Sequence, residues 1–447
     1  MQLACAGRLA ADDLDPAARP YVALALLDER RGLPQWARLL AADPRVELRE
    51  RLAACPGLPP DVTRTLAADP DVQVVAEVAL WAPAQLAGRL ASHPHATVRR
   101  AVAANRAAPP DVLAALLTGD GLPPARCCPV CAREPIPFVH DPHCDRADCT
   151  LPPGACCDGS HQSTVHEIQQ TALGNPATPA GAAAGFAGHP SMLLRRELAA
   201  RTDLPPRVYA RLAADPIPWV RSTLAQNPAL DEGLIRVLAT DRGHDVQRRL
   251  AHHPGVPLDV LVRLADATRI GSTLLARIAS ACPAEVEHLA ASPNPKVRML
   301  VAQRRDLPPA IRDALADDRD AKVAKCVAPH PGLSDTRLRA MLTRHGNRVS
   351  AHLAAHPDAT SALLEELTRH CPPANRVLRE VARHPNATGA ALSMCLTDRR
   401  ARRSAAAHRA LPPAAIADLL DDEDGQVVEA AAANASLPVG VMARLVP

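Results

Sequence analysis

The chain contains 447 residues, of which 47% are hydrophobic and only 2% aromatic. This length exceeds what one globular core usually fills, so we expect several domains or a repeat array with a core of Ala, Leu and Val. The 51 Lys and Arg residues against 48 Asp and Glu residues leave a net charge of +3, which excludes a whole-molecule field for nucleic acid or membranes. No apolar run of about 18 residues is present, and the first residues lack a signal-peptide pattern. We therefore expect no membrane insertion and a cytoplasmic location.

One phrase recurs along the chain, as in residues 58–80 and 204–228. Each copy predicts two short helices, the first after Pro-Pro and the second after Asp-Pro, His-Pro or Asn-Pro, because proline is tolerated in the first turn of a helix. A polar marker after the second helix recurs about every 24 to 29 residues. It is found at Asn227, His253, Cys282, Arg304, His330, His356, His384, His408 and Asn434. About fifteen such units fit the chain, and stacked neighbours would bury their apolar faces.

The consensus LPPxVxxxLAxDPxxxVRxxLAxNP resembles the leucine-rich repeat variant family over residues 33–122 and 167–447. The resemblance implies alternating α-helices and 3₁₀ or short helices without strands. It also implies, for at least one lineage, a cysteine-ligated [4Fe–4S] module. In that family the module stands at the N-terminus, whereas the cysteines of this chain lie inside the array. We therefore expect an all-α, right-handed-type superhelical solenoid of about fifteen two-helix repeats with an inserted Cys-rich metal module.

Seven of the thirteen cysteines lie in residues 127–157, where the repeat phrase stops. The predicted division is accordingly residues 1–122 as N-terminal repeats, 123–166 as a Cys/His-rich module and 167–447 as C-terminal repeats. Cys128 and Cys131 form a CxxC pair, and Cys144 and Cys149 form a Cx₄C pair, so together they can complete a Cys₄ site. The further candidate ligands are Cys127, Cys156, Cys157, His140, His143, His161 and His166.

The identity of the metal has two interpretations. Residues 157–161 read CDGSH and resemble the signature of the CDGSH iron–sulfur family, in which Cys157 and His161 would bind one iron. Arg146, Asp148 and Ala155 stand where that family has two further cysteines and a proline. An iron–sulfur cluster, [4Fe–4S] in particular, is the favoured interpretation, and zinc is the alternative. The predicted ligand set is Cys128, Cys131, Cys144, Cys149, Cys157 and His161.

An arginine follows an apolar residue of the second helix in several repeats. We expect these arginines to align as a surface stripe that receives a protein partner, unless they are only a solvated face balanced by acids. The stripe comprises Arg49, Arg99, Arg195, Arg221 and Arg298. A separate set of histidines precedes proline and is interpreted as turn and cap residues. These are His93, His189, His253, His330, His356 and His384.

The sequence contains no phosphate-binding glycine loop and no GxSxG nucleophile motif, so we expect no catalysis. It predicts a protein-interaction scaffold whose metal centre is structural or senses redox or iron state. A nucleic-acid-binding protein with a structural iron–sulfur or zinc site is the alternative, and a redox protein is the third. A protein partner is expected, and nucleic acid is possible but not favoured because base-stacking aromatics are scarce.

Overall fold

The computed structural model describes residues 14–133, 161–271, 273–370 and 375–445. These residues form α-helices and two short 3₁₀ helices, with no β-strand among them. The chain divides into two compact units, Met1–Val246 and Gln247–Pro447. No helix in the described ranges is long and apolar enough to cross a membrane.

The described residues of the first unit form fifteen α-helices and the start of a sixteenth, α16 (His244–Ala251), in which the division falls. The fifteen are α1 (Pro20–Asp28), α2 (Pro34–Ala41), α3 (Val46–Ala53), α4 (Pro60–Leu66), α5 (Val72–Trp81), α6 (Ala84–Leu90), α7 (Ala96–Ala104), α8 (Pro110–Thr118), α9 (Pro129–Arg133), α10 (Gln162–Gly174), α11 (Ala180–Ala184), α12 (Met192–Ala200), α13 (Pro206–Ala213), α14 (Pro218–Leu224) and α15 (Glu232–Leu238). A 3₁₀ helix, Gly185–Gly188, follows α11.

The second unit continues with fifteen further helices within the described residues. They are α17 (Leu258–Ala267), α18 (Ala276–Ala279), α19 (Pro283–Ala290), α20 (Pro295–Val301), α21 (Pro309–Ala316), α22 (Ala321–Val327), α23 (Asp335–His345), α24 (Asn347–Ala354), α25 (Ser361–His370), α26 (Asn375–Arg383), α27 (Gly389–Cys395), α28 (Arg402–Ala406), α29 (Pro413–Asp418), α30 (Gly425–Ala432) and α31 (Val439–Leu445). The second 3₁₀ helix, Leu419–Asp421, follows α29.

Each unit is a stack of helix pairs, as the repeat phrase predicts. In the first unit α3, α5, α7, α10, α12 and α14 pack one on the next, and in the second unit α20, α22, α24, α26, α28 and α30 do the same. Small and branched aliphatic side chains fill the space between them, with Leu48, Val98, Val220 and Val297 fully buried. The predicted all-α repeat fold is confirmed. The handedness, the count of about fifteen repeats and the three-part division stay predictions.

The helix starts follow directly from local chemistry. Proline occupies the first or second position of α4, α8 and α13, where its missing N–H costs no hydrogen bond. Second helices are capped by a polar side chain: the Asp71 carboxylate accepts from the Gln73 amide, and the His95 ring accepts from the Thr97 amide.

The marker residues form a hydrogen-bonded ladder between successive repeats within each unit. The Asn227 side chain donates to the carbonyls of Ala199 and Arg201, and the Asn434 side chain donates to those of Ala406 and His408. Histidine performs the same task elsewhere, since His384 Nε2 lies 2.8 Å from the His356 carbonyl oxygen. Buried backbone carbonyls at helix ends need such donors because no water reaches them.

The turn role predicted for the His-Pro histidines is confirmed for five of the six. Their Nδ1 atoms each accept a hydrogen bond from the amide two residues further on. These are His93, His189, His253, His356 and His384. The exception is His330, whose buried Nδ1 has no partner among the described residues.

Candidate metal centre

The chain leaves the stack of helices after α8, whose C-cap residue, Gly119, has a left-handed backbone conformation. The chain then returns to the preceding repeat, where Cys127 and His95 form an isolated parallel bridge. The Ala96 amide donates to the Cys127 carbonyl at 3.0 Å, and the Arg126 amide donates to the Pro94 carbonyl at 2.9 Å. These two backbone hydrogen bonds therefore fix the start of the CxxC pair against the turn at residues 94–96.

Helix α10 takes the place of the second helix in the interrupted repeat. The Asn175 side chain, just after α10, donates to the carbonyls of Ala103 and Asn105, so the ladder continues across the insertion. Asn175 and Asn105 are 70 positions apart, whereas the same ladder contact joins Asn227 to Arg201 across 26. The array is thus interrupted inside a single repeat, and residues 162–166 of the predicted module belong to a stacked helix.

Three of the predicted ligands converge where the insertion begins and ends. Cys128, Cys131 and His161 offer one donor atom each, all within 4.8 Å of one another. The Cys131 Sγ lies 3.7 Å from the His161 Nδ1. Cys128 and His161 are buried, and Cys131 is half-buried. Two sulfur atoms and one imidazole nitrogen at this spacing could hold a metal ion.

The helices that flank the insertion position these donors. Cys128 directly precedes α9 and Cys131 is the third residue of that helix, so the CxxC spacing brings their sulfur atoms to one side. His161 precedes α10 and has a φ of 59°, an uncommon left-handed value for a residue other than glycine. With 13 residues, α10 is longer than α7, which has 9. Its additional turn lies at the end that carries His161.

The surroundings of Cys128 favour a thiolate. Burial raises the pKa of Cys128, but hydrogen bonds from the Cys131 amide, the Thr164 hydroxyl, His161 and Cys131 lower it to about 6 overall. The Cys128 amide also donates to the Cys131 sulfur at 3.1 Å. Thiolates are the form in which cysteine binds metals. Thr164 is a contact that the sequence did not single out, although its place three residues after His161 was a usable signal.

The remaining predicted ligands are not brought to this group by the structure. Cys144, Cys149 and Cys157 lie outside the described residues. His166 lies on α10 and is engaged elsewhere, since its Nε2 is 2.7 Å from the Ser191 hydroxyl. Cys127 is exposed and does not belong to the group.

The arginines expected to form a surface stripe instead connect neighbouring repeats. In each case the guanidinium binds an aspartate 20 residues later through two N–H···O bonds and also donates to carbonyls of its own turn. We call these pairs the Arg–Asp clamps: Arg49 with Asp69, Arg195 with Asp215, Arg221 with Asp241, and Arg298 with Asp318. The arginine directly follows the buried aliphatic residue, so its side chain points along the stack into the next turn rather than outward. The exposed stripe predicted from these residues is therefore not what the structure contains.

Arg99 is the exception, and it lies on α7, in the repeat just before the interrupted one. Twenty residues after it stands Gly119 instead of aspartate. The buried Arg99 guanidinium donates to the carbonyls of His93 and Pro123, at 2.7 Å each. Burial lowers the pKa of Arg99 below its usual value. The backbone leading to Cys128 thus occupies the place that a carboxylate fills in the Arg–Asp clamps.

No protein-family model matches the sequence, and no curated protein matches it. Among solved structures, the chain is similar to one described as a leucine-rich repeat variant with a novel repetitive protein structural motif. The match has 20% sequence identity and a TM-score of 0.30, and it covers 60% of this chain and 85% of the other.

Proposed function

We propose that the chain is a non-catalytic, helical-repeat scaffold for a protein partner, in which one bound metal ion fastens the inserted segment to the stack. The observation that carries the proposal is the convergence of Cys128, Cys131 and His161. These residues come from opposite ends of the insertion, yet their donor atoms lie within 4.8 Å. A metal ion would link both ends and add its ligation energy to the stability of the first unit.

Zinc is the ion that we propose. Two thiolates and one imidazole are zinc ligands, with Zn–S near 2.3 Å and Zn–N near 2.0–2.1 Å. A tetrahedron with those bond lengths separates sulfur and nitrogen by about 3.6 Å, close to the 3.7 Å between Cys131 Sγ and His161 Nδ1. In a [4Fe–4S] cluster each ligand binds a different iron, so its protein donors stand farther apart. The spacing therefore supports one shared metal.

A tetrahedral structural zinc needs a fourth donor. Residues 134–160 contain suitable side chains, namely His140, His143, Cys144, Cys149, Cys156 and Cys157. We propose that one of them completes the site. Such a site is closed, without an open position for substrate, which agrees with a structural role rather than a catalytic one.

The test is metal and sulfide analysis of the full chain after anaerobic purification. We expect about one zinc per chain without inorganic sulfide. Cys131→Ser and His161→Ala should each lose most of it, because both remove a donor. Cys127→Ser is the matched control, since this exposed cysteine lies in the same segment outside the donor group. Iron with sulfide would establish a cluster in place of zinc, and folded wild-type protein without metal would overturn the proposal.

The cytoplasmic location remains part of the proposal. Its support is the use of cysteine, because clustered thiols with metal-ligand spacing suit a reducing compartment.

A further inference from the structure

A column of positive charge runs along the second unit, on a different set of residues from the Arg–Asp clamps. Its members stand eight residues before successive ladder residues and directly before a buried aliphatic residue. We name it the basic column: Lys296, Lys322, Arg348, Arg376 and Arg400. The residues that follow them are Val297, Val323, Val349, Val377 and Ala401, all buried. The five cations therefore share one register position and lie on the same face of the stack.

The helices carrying the basic column are neighbours. The first four cations are the second residues of α20, α22, α24 and α26, which pack in series, and Arg400 lies just before α28, which packs on α26. All five are exposed. Stacked helices are about 8–10 Å apart, so the column extends over about 30–40 Å.

The described residues of the first unit form no such column. The residues at the same position there are Glu47, Gln73, Thr97, Glu167, Leu193, Trp219 and Asp245. Because both units share the repeat, the fold itself does not need a cation there. Two of the three lysines in the chain, Lys296 and Lys322, belong to the column, and the third, Lys325, lies one helical turn after Lys322. Stacking of the repeats therefore does not explain this charge.

The cationic groups of the basic column are not neutralised by ion pairs within the described part of the chain. Arg298 is paired with Asp318, whereas no side-chain nitrogen of a column member forms an ion pair with a carboxylate in the described ranges. The Lys296 side chain donates to the Asp266 carbonyl oxygen. A cleft of about 660 Å³ opens along the column, lined by Lys322, Lys325, Arg348 and also Arg319. The cleft is also lined by Asp320, whose carboxylate already accepts a hydrogen bond from the Lys322 backbone amide.

The spacing favours an extended acidic peptide. A segment in the extended polyproline II conformation has three residues per turn and rises about 3.1 Å per residue, so a carboxylate at every third residue recurs on one face about every 9 Å, like the stacked helices. A nucleic-acid strand carries one phosphate per about 3.4 Å of helix axis, which is a denser spacing. Tyr and Phe are absent from the second unit, and all three Trp residues lie in the first, so stacking of unpaired bases has no support.

We propose that the basic column is a docking surface for an extended protein segment with acidic residues at about three-residue intervals. This deepens the proposed scaffold role by naming the partner chemistry, and it does not depend on the metal centre. Affinity would come from several weak exposed ion pairs acting together, so it would fall as salt is added.

The experiment measures fluorescence anisotropy of a labelled peptide of five Glu-Gly-Ser units with the full-length protein. A Gln-Gly-Ser peptide of equal length and a 20-base-pair DNA duplex are the comparison probes. The test variant combines Lys322→Glu, Arg348→Glu and Arg376→Glu. Its control combines Arg263→Glu, Arg383→Glu and Arg409→Glu, which makes the same charge change at exposed positions of the second unit outside the column.

We expect the test variant to weaken peptide binding by about ten-fold or more at low salt, and the control to change it by less than about three-fold. The Gln peptide should not bind measurably. Equal losses in both variants would make net charge the cause and overturn the column. Tighter binding of the duplex than of the Glu peptide would assign the surface to nucleic acid and also overturn it. Metal content measured on the same preparations separates failure of this inference from failure of the metal proposal.

Discussion

Arg195 and Asp215 form a buried, two-bonded ion pair between neighbouring repeats. The Arg195 Nε donates to Asp215 Oδ2 at 2.6 Å and its Nη2 donates to Asp215 Oδ1 at 3.1 Å, while Nη1 donates to the His189 and Pro190 carbonyls. The same Asp215 carboxylate accepts from the Ile217 amide and so holds its own turn. One pair thus fixes two turns and the distance between them.

Removing one partner of this pair should therefore be costly. We expect Asp215→Ala to lower the free energy of unfolding by about 3 kcal/mol, because the buried guanidinium loses its counter-charge. Asp61→Ala, which breaks the exposed pair with Arg38, should cost far less, because solvent screens that pair. Urea denaturation compares the two variants. Similar small losses in both would show that the clamp is not a stabilising contact.

The hydrogen-bonded ladder predicts which side chains can replace Asn227. Asn227→Leu should lower the free energy of unfolding by about 2–3 kcal/mol, since the Ala199 carbonyl and the Ala229 amide lose the Asn227 side chain as partner and the Arg201 carbonyl keeps only the Tyr209 hydroxyl. Asn227→His should cost clearly less, because histidine fills the equivalent position at His384 and contacts a carbonyl there. Denaturation curves measure both losses. Equal losses would contradict the idea that donor chemistry, rather than side-chain size, selects the residue.

His330 predicts a loss of stability in mild acid. Burial, and then the charge of Arg305, lowers the pKa of His330 from 6.5 to about 4. The unfolded chain therefore binds a proton that the folded chain refuses between pH 6.5 and pH 4. Stability from this residue is complete above pH 6.5 and decreases below it, by about 2 kcal/mol at pH 5.

The check is the pH dependence of unfolding for the wild type and His330→Asn, in which asparagine keeps a ladder donor. The difference in stability between pH 7 and pH 5 should shrink by about 2 kcal/mol in the variant. Because the comparison is made within each protein, a uniform loss of stability in the variant does not affect it. An unchanged difference would show that His330 does not resist protonation.

Metal removal should loosen only the surroundings of the insertion. We expect a chelator to speed amide hydrogen exchange in Cys127–Arg133 and in the first turn of α10, because Cys128, Cys131 and His161 would lose their common ligand. Exchange in α22 and α24 of the second unit is the internal control and should not change. Uniform acceleration, or none near His161, would contradict a local fastening role.

Much of the fold follows from spacing in the sequence. The Pro-Pro pairs at 59–60, 109–110 and 205–206 give helix starts, and the marker residues give the ladder, because each rests on local backbone chemistry. The CxxC pair and His161 are also predicted as metal ligands from the sequence. The start of α10 was missed, since its polar first turn, from Gln162, reads as part of the module.

The Arg–Asp clamps are contacts that the repeat spacing alone does not predict. The spacing located Arg195 and Arg221 correctly in the repeat, but it does not say whether a side chain points to solvent or to the next turn. The aspartate 20 residues after each of them was a usable signal that was not used. The basic column becomes apparent only when the cations of the second unit are compared with the residues at the same repeat position in the first unit.

Zinc K-edge X-ray absorption of the purified full chain tests the central claim most directly. We predict sulfur scatterers near 2.3 Å together with imidazole nitrogen near 2.0–2.1 Å. In the zinc that each variant retains, His161→Ala should reduce the imidazole signal and Cys131→Ser should reduce the sulfur signal, whereas Cys127→Ser should leave the wild-type zinc content and spectrum. Zinc spectra that are the same in all three variants, or folded wild-type protein without zinc, would contradict a zinc ion held by Cys128, Cys131 and His161.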